Sequence, residues 1–191
     1  MIKTQNNDRS KYIGGSEANN IYFNYEAETF KKWWAYKLTE IPKENNVSNL
    51  AMSVGTILEH EIINLYENTN KVIGVRDEQK IKGIARANTD YLVSNKIYDV
   101  KATKKAVEWY LSDAVPIAYR RQLTHYLYVF ELQKAGIIAY LVDEELLNPF
   151  MELKETKLFV IDVEITEKQI MEHKQRIEYL EFCKEMNIFP R

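Results

Sequence analysis

Apolar positions recur along this chain in two rhythms, and most of its elements can be read from them. Over 50–67 a 100° step per residue gathers Leu58, Ile62, Ile63, Leu65 and Tyr66 into one arc, which predicts a long amphipathic helix. Tyr119, Leu123, Tyr126, Leu127 and Phe130 repeat the stripe behind Pro116, a residue suited to a first helical turn, so a second such helix is expected over 116–133. Shorter helices are expected from Ser16, which can act as an N-cap, over 28–38 with Trp33 and Trp34, and over 106–113. Thr166 with Gln169 has the form of a capping box for a last helix that reaches about Met186. Runs rich in β-branched and aromatic residues predict strands near 71–76, 83–88, 91–93, 97–102, 137–142 and 157–165. The polar stretch 42–49 reads as a surface loop. The order helices, strand cluster, helices, strands, helix predicts one α/β domain over 1–191, a mixed central β-sheet flanked by helices.

A few acids break these rhythms. Asp is disfavoured inside strands, yet Asp90 and Asp99 sit among Tyr, Leu, Val and Ile on either side of the turn Ser94-Asn95. Residues two apart on a strand share a face, so Asp99 and Lys101 are expected to point together into a solvated cleft while Tyr98 and Val100 point away. Such a pair reads either as a solvated ion pair or as part of a site in which carboxylates select Mg²⁺ and a lysine holds water or neutralises a phosphate. Glu59 falls inside the apolar arc of its helix, where a carboxylate is costly unless paired, metal-bound or protonated, whereas His60 and Glu61 fall outside it. Gln122 lies at the edge of the second stripe, as a structural amide or a site residue, with Arg121 and His125 farther round.

Composition narrows the function classes. At 191 residues, 46% hydrophobic and 28% charged, the chain suits a soluble globular domain with a sizeable core. No stretch approaches the roughly 20 apolar residues of a membrane span, and the start MIKTQNNDRSKY lacks a signal-peptide core, so a cytoplasmic protein with no membrane partner is expected. Cys183 is the only cysteine, which excludes an internal disulfide and cysteine-ligated zinc or iron–sulfur centres. A net charge of −2 gives no global basic field, although Lys101, Lys104, Lys105, Arg120 and Arg121 cluster near the acids in sequence. His60, His125 and His173 do not have the spacing of a metal triad, and no Ser-His-Asp or phosphate-loop pattern is present.

Four segments in order, RSKYIGGSEA (9–18), GTILEHE (55–61), NTDYLV with YDVKATKK (88–105) and RRQLTHYLYVF (120–130), resemble the lambda-exonuclease and YqaJ-type viral recombinase branch of the PD-(D/E)XK nucleases. The resemblance covers roughly 9–142 and implies the restriction-endonuclease-like core of that superfamily. Carried over by position, it implies Mg²⁺, as two ions with Mn²⁺ able to substitute, held by Glu59, Asp90, Asp99 and the Val100 carbonyl. It gives Lys101 the attacking water, Gln122 a place on the helix that lines the site, and Arg9 with Ser16 the pocket for a 5′-terminal phosphate. Lys104, Lys105 and Arg121 become further DNA contacts. Two letters depart from the family's usual pattern: Thr89 stands where proline is common before Asp90, and Asp99 where glutamate is common.

The expected function is therefore a Mg²⁺-dependent deoxyribonuclease, a 5′-to-3′ exonuclease of double-stranded DNA ends that leaves 3′ single-stranded tails for phage-type recombination. The resemblance also implies a single-strand annealing protein as partner and a homo-oligomer, a ring trimer in the family. The alternatives are an endonuclease of the same fold and a catalytically inactive relative that binds DNA or protein, such as an inhibitor.

Overall fold

The computed structural model describes residues 10–40, 50–142 and 152–191, with 50–57 as backbone alone. Among the described residues, six strands and five α-helices follow in the order β1 (Ile13–Gly14), α1 (Glu28–Thr39), α2 (Leu50–Asn70), β2 (Val75–Lys82), β3 (Ala85–Val93), β4 (Lys96–Thr103), α3 (Ala106–Ser112), α4 (Ile117–Phe130), β5 (Lys134–Leu141), β6 (Leu158–Val163) and α5 (Glu167–Glu185). They build one mixed sheet in which β4 and β5 run parallel, β3 and β4 antiparallel, and β5 and β6 antiparallel. The antiparallel β3–β4 hairpin turns on Ser94 and Asn95, both with positive φ, as a two-residue hairpin of the right twist requires.

Alternation along β5 divides the core. Ile137 and Ala139 enter a large cluster with Trp34, Leu123, Leu127 and Leu180, which covers one face of the sheet with α1, α4 and α5. Ile138 and Tyr140 enter a smaller one with Ile62, Ile63, Tyr66, Tyr91, Tyr98 and Val100, beneath α2. Both faces of β5 are thus buried, as a parallel neighbour demands. Truncating a core residue such as Ile62 to alanine would cost about 2–5 kcal/mol. Among the described residues no helix is long and apolar enough to cross a membrane.

β3 is where the sheet forks. Its residues Ala85 and Arg86 pair with β1, its residues 91–93 pair with β4, and the other side takes β2. Between these contacts the ladder to β2 skips one position, where Asp77 with φ 53° would stand opposite Asp90. The facing of β3 changes across this break: Ala85 and Ala87 point to the large cluster, whereas Tyr91 points to the small one.

Several sequence expectations shift. The strand expected at 71–76 lies at Val75–Lys82, because α2 continues to Asn70 and an exposed outer strand reading VRDEQKIK carries no apolar alternation. The separate strands 83–88 and 91–93 are one strand, with the ladder break between them. Pro116 sits just before α4 at its N-cap rather than in the first turn. No helix begins at Ser16; it is the middle of a three-residue 3-10 turn, Gly15–Glu17, that follows Gly14. The capping box of α5 is present, with Thr166 and Gln169 bonded reciprocally.

Candidate active site

At the fork, β3 and β4 present Asp90, Asp99 and Lys101 to the N-terminal half of α4. Strand alternation sends Tyr98 and Val100 into the small cluster and so turns Asp99 and Lys101 to the opposite face, as their spacing predicted. Asp90 lies beside the break in the β2 ladder, and its Oδ2 accepts the Val100 N–H at 2.7 Å, doing for β4 what a ladder carbonyl would otherwise do. Lys101 Nζ stands 2.7 Å from Asp99 Oδ2 and donates to the Val100 carbonyl at 3.2 Å. Gln122 Nε2 donates to Asp99 Oδ1 at 2.9 Å and to the Tyr126 hydroxyl at 2.7 Å. Asp99 is 0% exposed, which corrects the expected solvated cleft: burial on all sides is affordable here because a lysine and an amide take both oxygens.

Electrostatics bind Glu59 to this group. Burial, then Asp77 and Asp99, raise its carboxyl above the usual range, while His60 and Lys101 pull it down. Burial, then Asp99 and Glu59, hold Asp90 well above its usual range. Burial opposes the charge on Lys101, yet Asp99 and Asp90 outweigh it and raise that ammonium. Glu61 is exposed, as its helical phase predicted.

Three mutually opposed carboxylates against one ammonium leave negative charge that a cation would relieve. Among the described residues no three His, Cys, Asp or Glu side chains already form a metal cage, because Asp99 is turned to Lys101 and Gln122 and Asp90 to a backbone N–H. The donor chemistry still fits a hard divalent ion: every acidic group is an oxygen donor, and the Val100 carbonyl lies among them.

The other expected residues distribute unevenly. Arg9 lies outside the described residues. Lys104 is exposed, and Lys105 pairs with Glu108 at 2.6 Å. Arg121 donates to Asn19 at 2.7 Å and stacks 4.3 Å from the Tyr22 ring centroid, so its guanidinium is engaged by the segment before α1. Ser16 borders a cavity of about 140 Å³ between the turn 14–17 and Arg86, Asn88 and Tyr126. Because its turn is three residues long, the helix expected from Ser16 does not form and offers a phosphate no helix N-terminus. The turn is held instead by Glu17, which accepts from the Gly14 N–H at 3.1 Å, Trp33 at 3.0 Å and buried Lys37 at 2.8 Å. Asp77, Arg86, Asn88 and Tyr126 were not singled out from the sequence as site residues; only the β2–β3 pairing and the packing of Tyr126 on Gly15 bring them here. The Asn88 Oδ1 is buried with no hydrogen-bond partner.

Residues 6–135 match the YqaJ-like viral recombinase domain, more than half of the chain. No curated protein sequence matches. Among solved structures, the fold is similar to the alkaline exonuclease LHK-Exo from Laribacter hongkongensis, 15% identical over 93% of this chain and 90% of that one, with a TM-score of 0.74. LHK-Exo in complex with dAMP superposes equally well, at 17% identity over 95% and 91% of the two chains and a TM-score of 0.74. A phage related exonuclease from Haemophilus somnus 129PT gives 13% identity, 92% and 94% coverage and a TM-score of 0.61. With a forked mixed sheet, acids and a lysine at the fork and a domain match through β1 to β4 and α4, the chain belongs to the YqaJ-like viral recombinase family.

Proposed function

We propose that the protein is a Mg²⁺-dependent exonuclease that degrades duplex DNA from a 5′ end and leaves a 3′ single-stranded tail. The observation that carries this reading is the convergence of Glu59, Asp90, Asp99 and Lys101 at the fork, with Gln122 fixing one of the acids. Glu59, Asp90, Asp99 and the Val100 carbonyl would hold the metal, which when bound supplies a hydroxide near neutral pH and Lewis-acid stabilisation of the leaving oxygen. Lys101 pairs its charge with Asp99 and donates one N–H to the Val100 carbonyl, and a remaining N–H can hold the attacking water or a phosphate oxygen. Its charge is fixed before reaction, so it meets the negative charge that develops on phosphorus without reorganisation. Gln122 keeps Asp99 from turning away.

The cavity beside the turn 14–17 supports end recognition. Ser16, Arg86 and Asn88 offer a hydroxyl, a cation and an amide next to the acids. LHK-Exo, of similar fold, binds dAMP; a nucleoside monophosphate is what end-wise hydrolysis releases. A strand-annealing protein would take the 3′ tail, and a ring of protomers would keep the enzyme on its duplex.

Asp99→Ala and Lys101→Ala test the assignment. Each should lower cleavage of linear duplex DNA by about 100-fold or more, the scale of losing one preorganised charge or donor, with DNA binding within a few-fold. Near-normal turnover in either variant would move the chemistry elsewhere.

A further inference from the structure

Tyr126 stands between the cavity and the acids. It is 4% exposed, on the face of α4 that meets the turn 14–17, and its ring edge lies against Gly15. A methyl group on Gly15 would fall 2.2 Å from Tyr126 Cε1 and 3.0 Å from its hydroxyl, so only glycine lets turn and ring approach this closely. On its other side the hydroxyl accepts from Gln122 Nε2, and the same nitrogen donates to Asp99 Oδ1. An amide nitrogen carries two hydrogens, so both are spent and the Tyr126 hydroxyl keeps its own for a further acceptor. The cavity that Tyr126 lines with Ser16, Arg86 and Asn88 is where such an acceptor would lie. Burial, then Asp99 and Asp90, hold this phenol protonated far above its usual range, so it remains a donor.

We propose that Tyr126 couples end recognition to catalysis: its hydroxyl donates to an oxygen of the terminal phosphate seated in the cavity and, through Gln122, positions Asp99. The inference rests on the reading of that cavity as a 5′-end pocket and adds a specificity-determining residue to it. A terminal phosphate dianion would then complete a chain of hydrogen bonds running from the DNA end to Asp99. An end with a hydroxyl leaves the chain one bond short.

The experiment compares the full chain with Tyr126→Phe on linear duplexes bearing either a 5′ phosphate or a 5′ hydroxyl, at one salt concentration with Mg²⁺, recording kcat and KM and the melting temperature of each protein. The unmodified protein should prefer the phosphorylated end. Tyr126→Phe should lower that preference in kcat/KM by about tenfold, the worth of a hydrogen bond to a charged group. Gly15→Ala, which displaces the same hydroxyl from the opposite side, should lower the preference with Tyr126 intact. An unchanged preference in whichever variant stays folded, or an equal loss on both ends, overturns the coupling and leaves Tyr126 as packing for Gln122. An unmodified protein that digests both ends at one rate overturns the end-pocket reading, and the inference with it.

Discussion

Two glutamates on one turn of α2 show how much a residue's phase decides. Glu59 is half-buried, with its carboxyl pushed up by burial, Asp77 and Asp99, whereas Glu61 is exposed and accepts from Asn64 at 3.4 Å. Glu59→Gln should weaken Mn²⁺ binding about tenfold or more, and Glu61→Gln should leave it unchanged, as read by calorimetric titration. Equal effects from the two would remove Glu59 from the metal set. At this scale the sequence was legible wherever a polar side chain broke a regular rhythm: Glu59 in an apolar arc, Asp90 and Asp99 in β-rich runs, Gln122 at a stripe's edge. Asp77 was not, because its left-handed backbone and its place opposite Asp90 follow from strand pairing and leave no mark in the letters around it. Asn88 is similar: a strand asparagine gains meaning only once β3 borders the cavity.

Helices α4 and α5 are joined by a contact no spacing rule finds. His125 and His173, which lack the spacing of metal ligands, meet at 3.0 Å, and the chain of bonds runs on from His173 Nδ1 to the Tyr22 hydroxyl at 2.9 Å and from His125 Nε2 to the Arg86 carbonyl at 3.1 Å. A carbonyl only accepts, so His125 carries its proton on Nε2, His173 donates from Nε2 to His125, and Tyr22 donates to His173. His125 is on the buried face of α4 rather than beyond its apolar stripe, its polarity absorbed by partners from β3 and α5. Burial lowers the His125 pKa to about 4, and burial with the charges of His125 and Arg176 depresses His173. A depressed histidine favours the folded state above its unfolded value of about 6.5, and that stability is lost as pH falls toward 4, roughly 3 kcal/mol for His125 alone. Glu59 and Asp90, with raised values, act in the opposite sense. The comparison is therefore with His125→Gln/His173→Gln: between pH 6.5 and 5 the melting temperature of the unmodified protein should fall more steeply than that of the double variant. Parallel slopes would mean the pair accepts protons in place.

At the scale of the whole molecule, hydrophobic periodicity was enough to expect a helix-flanked mixed sheet, because α2, α4 and β5 each bury a regular stripe against it. Polar β2 and the short turn 14–17 escaped, since their places depend on β3 and on Glu17 rather than on apolar pattern. The fork of β3 is what the fold contributes to function: it sets Asp90 beside Asp99 and opens a cavity between β1 and α4. An end pocket adjoining the acids would make cleavage depend on a DNA end, so linear and closed duplexes should behave differently. Linear duplexes labelled at the 5′ or the 3′ end, and a covalently closed circle, are incubated with the protein and Mg²⁺, with a chelator control. The 5′ label should be released at once as a mononucleotide, the 3′ label should persist on a single strand, the circle should stay intact, and the chelator should stop all release. Cutting of the circle, earlier release of the 3′ label, or no metal-dependent cleavage of any substrate would contradict a 5′-end exonuclease.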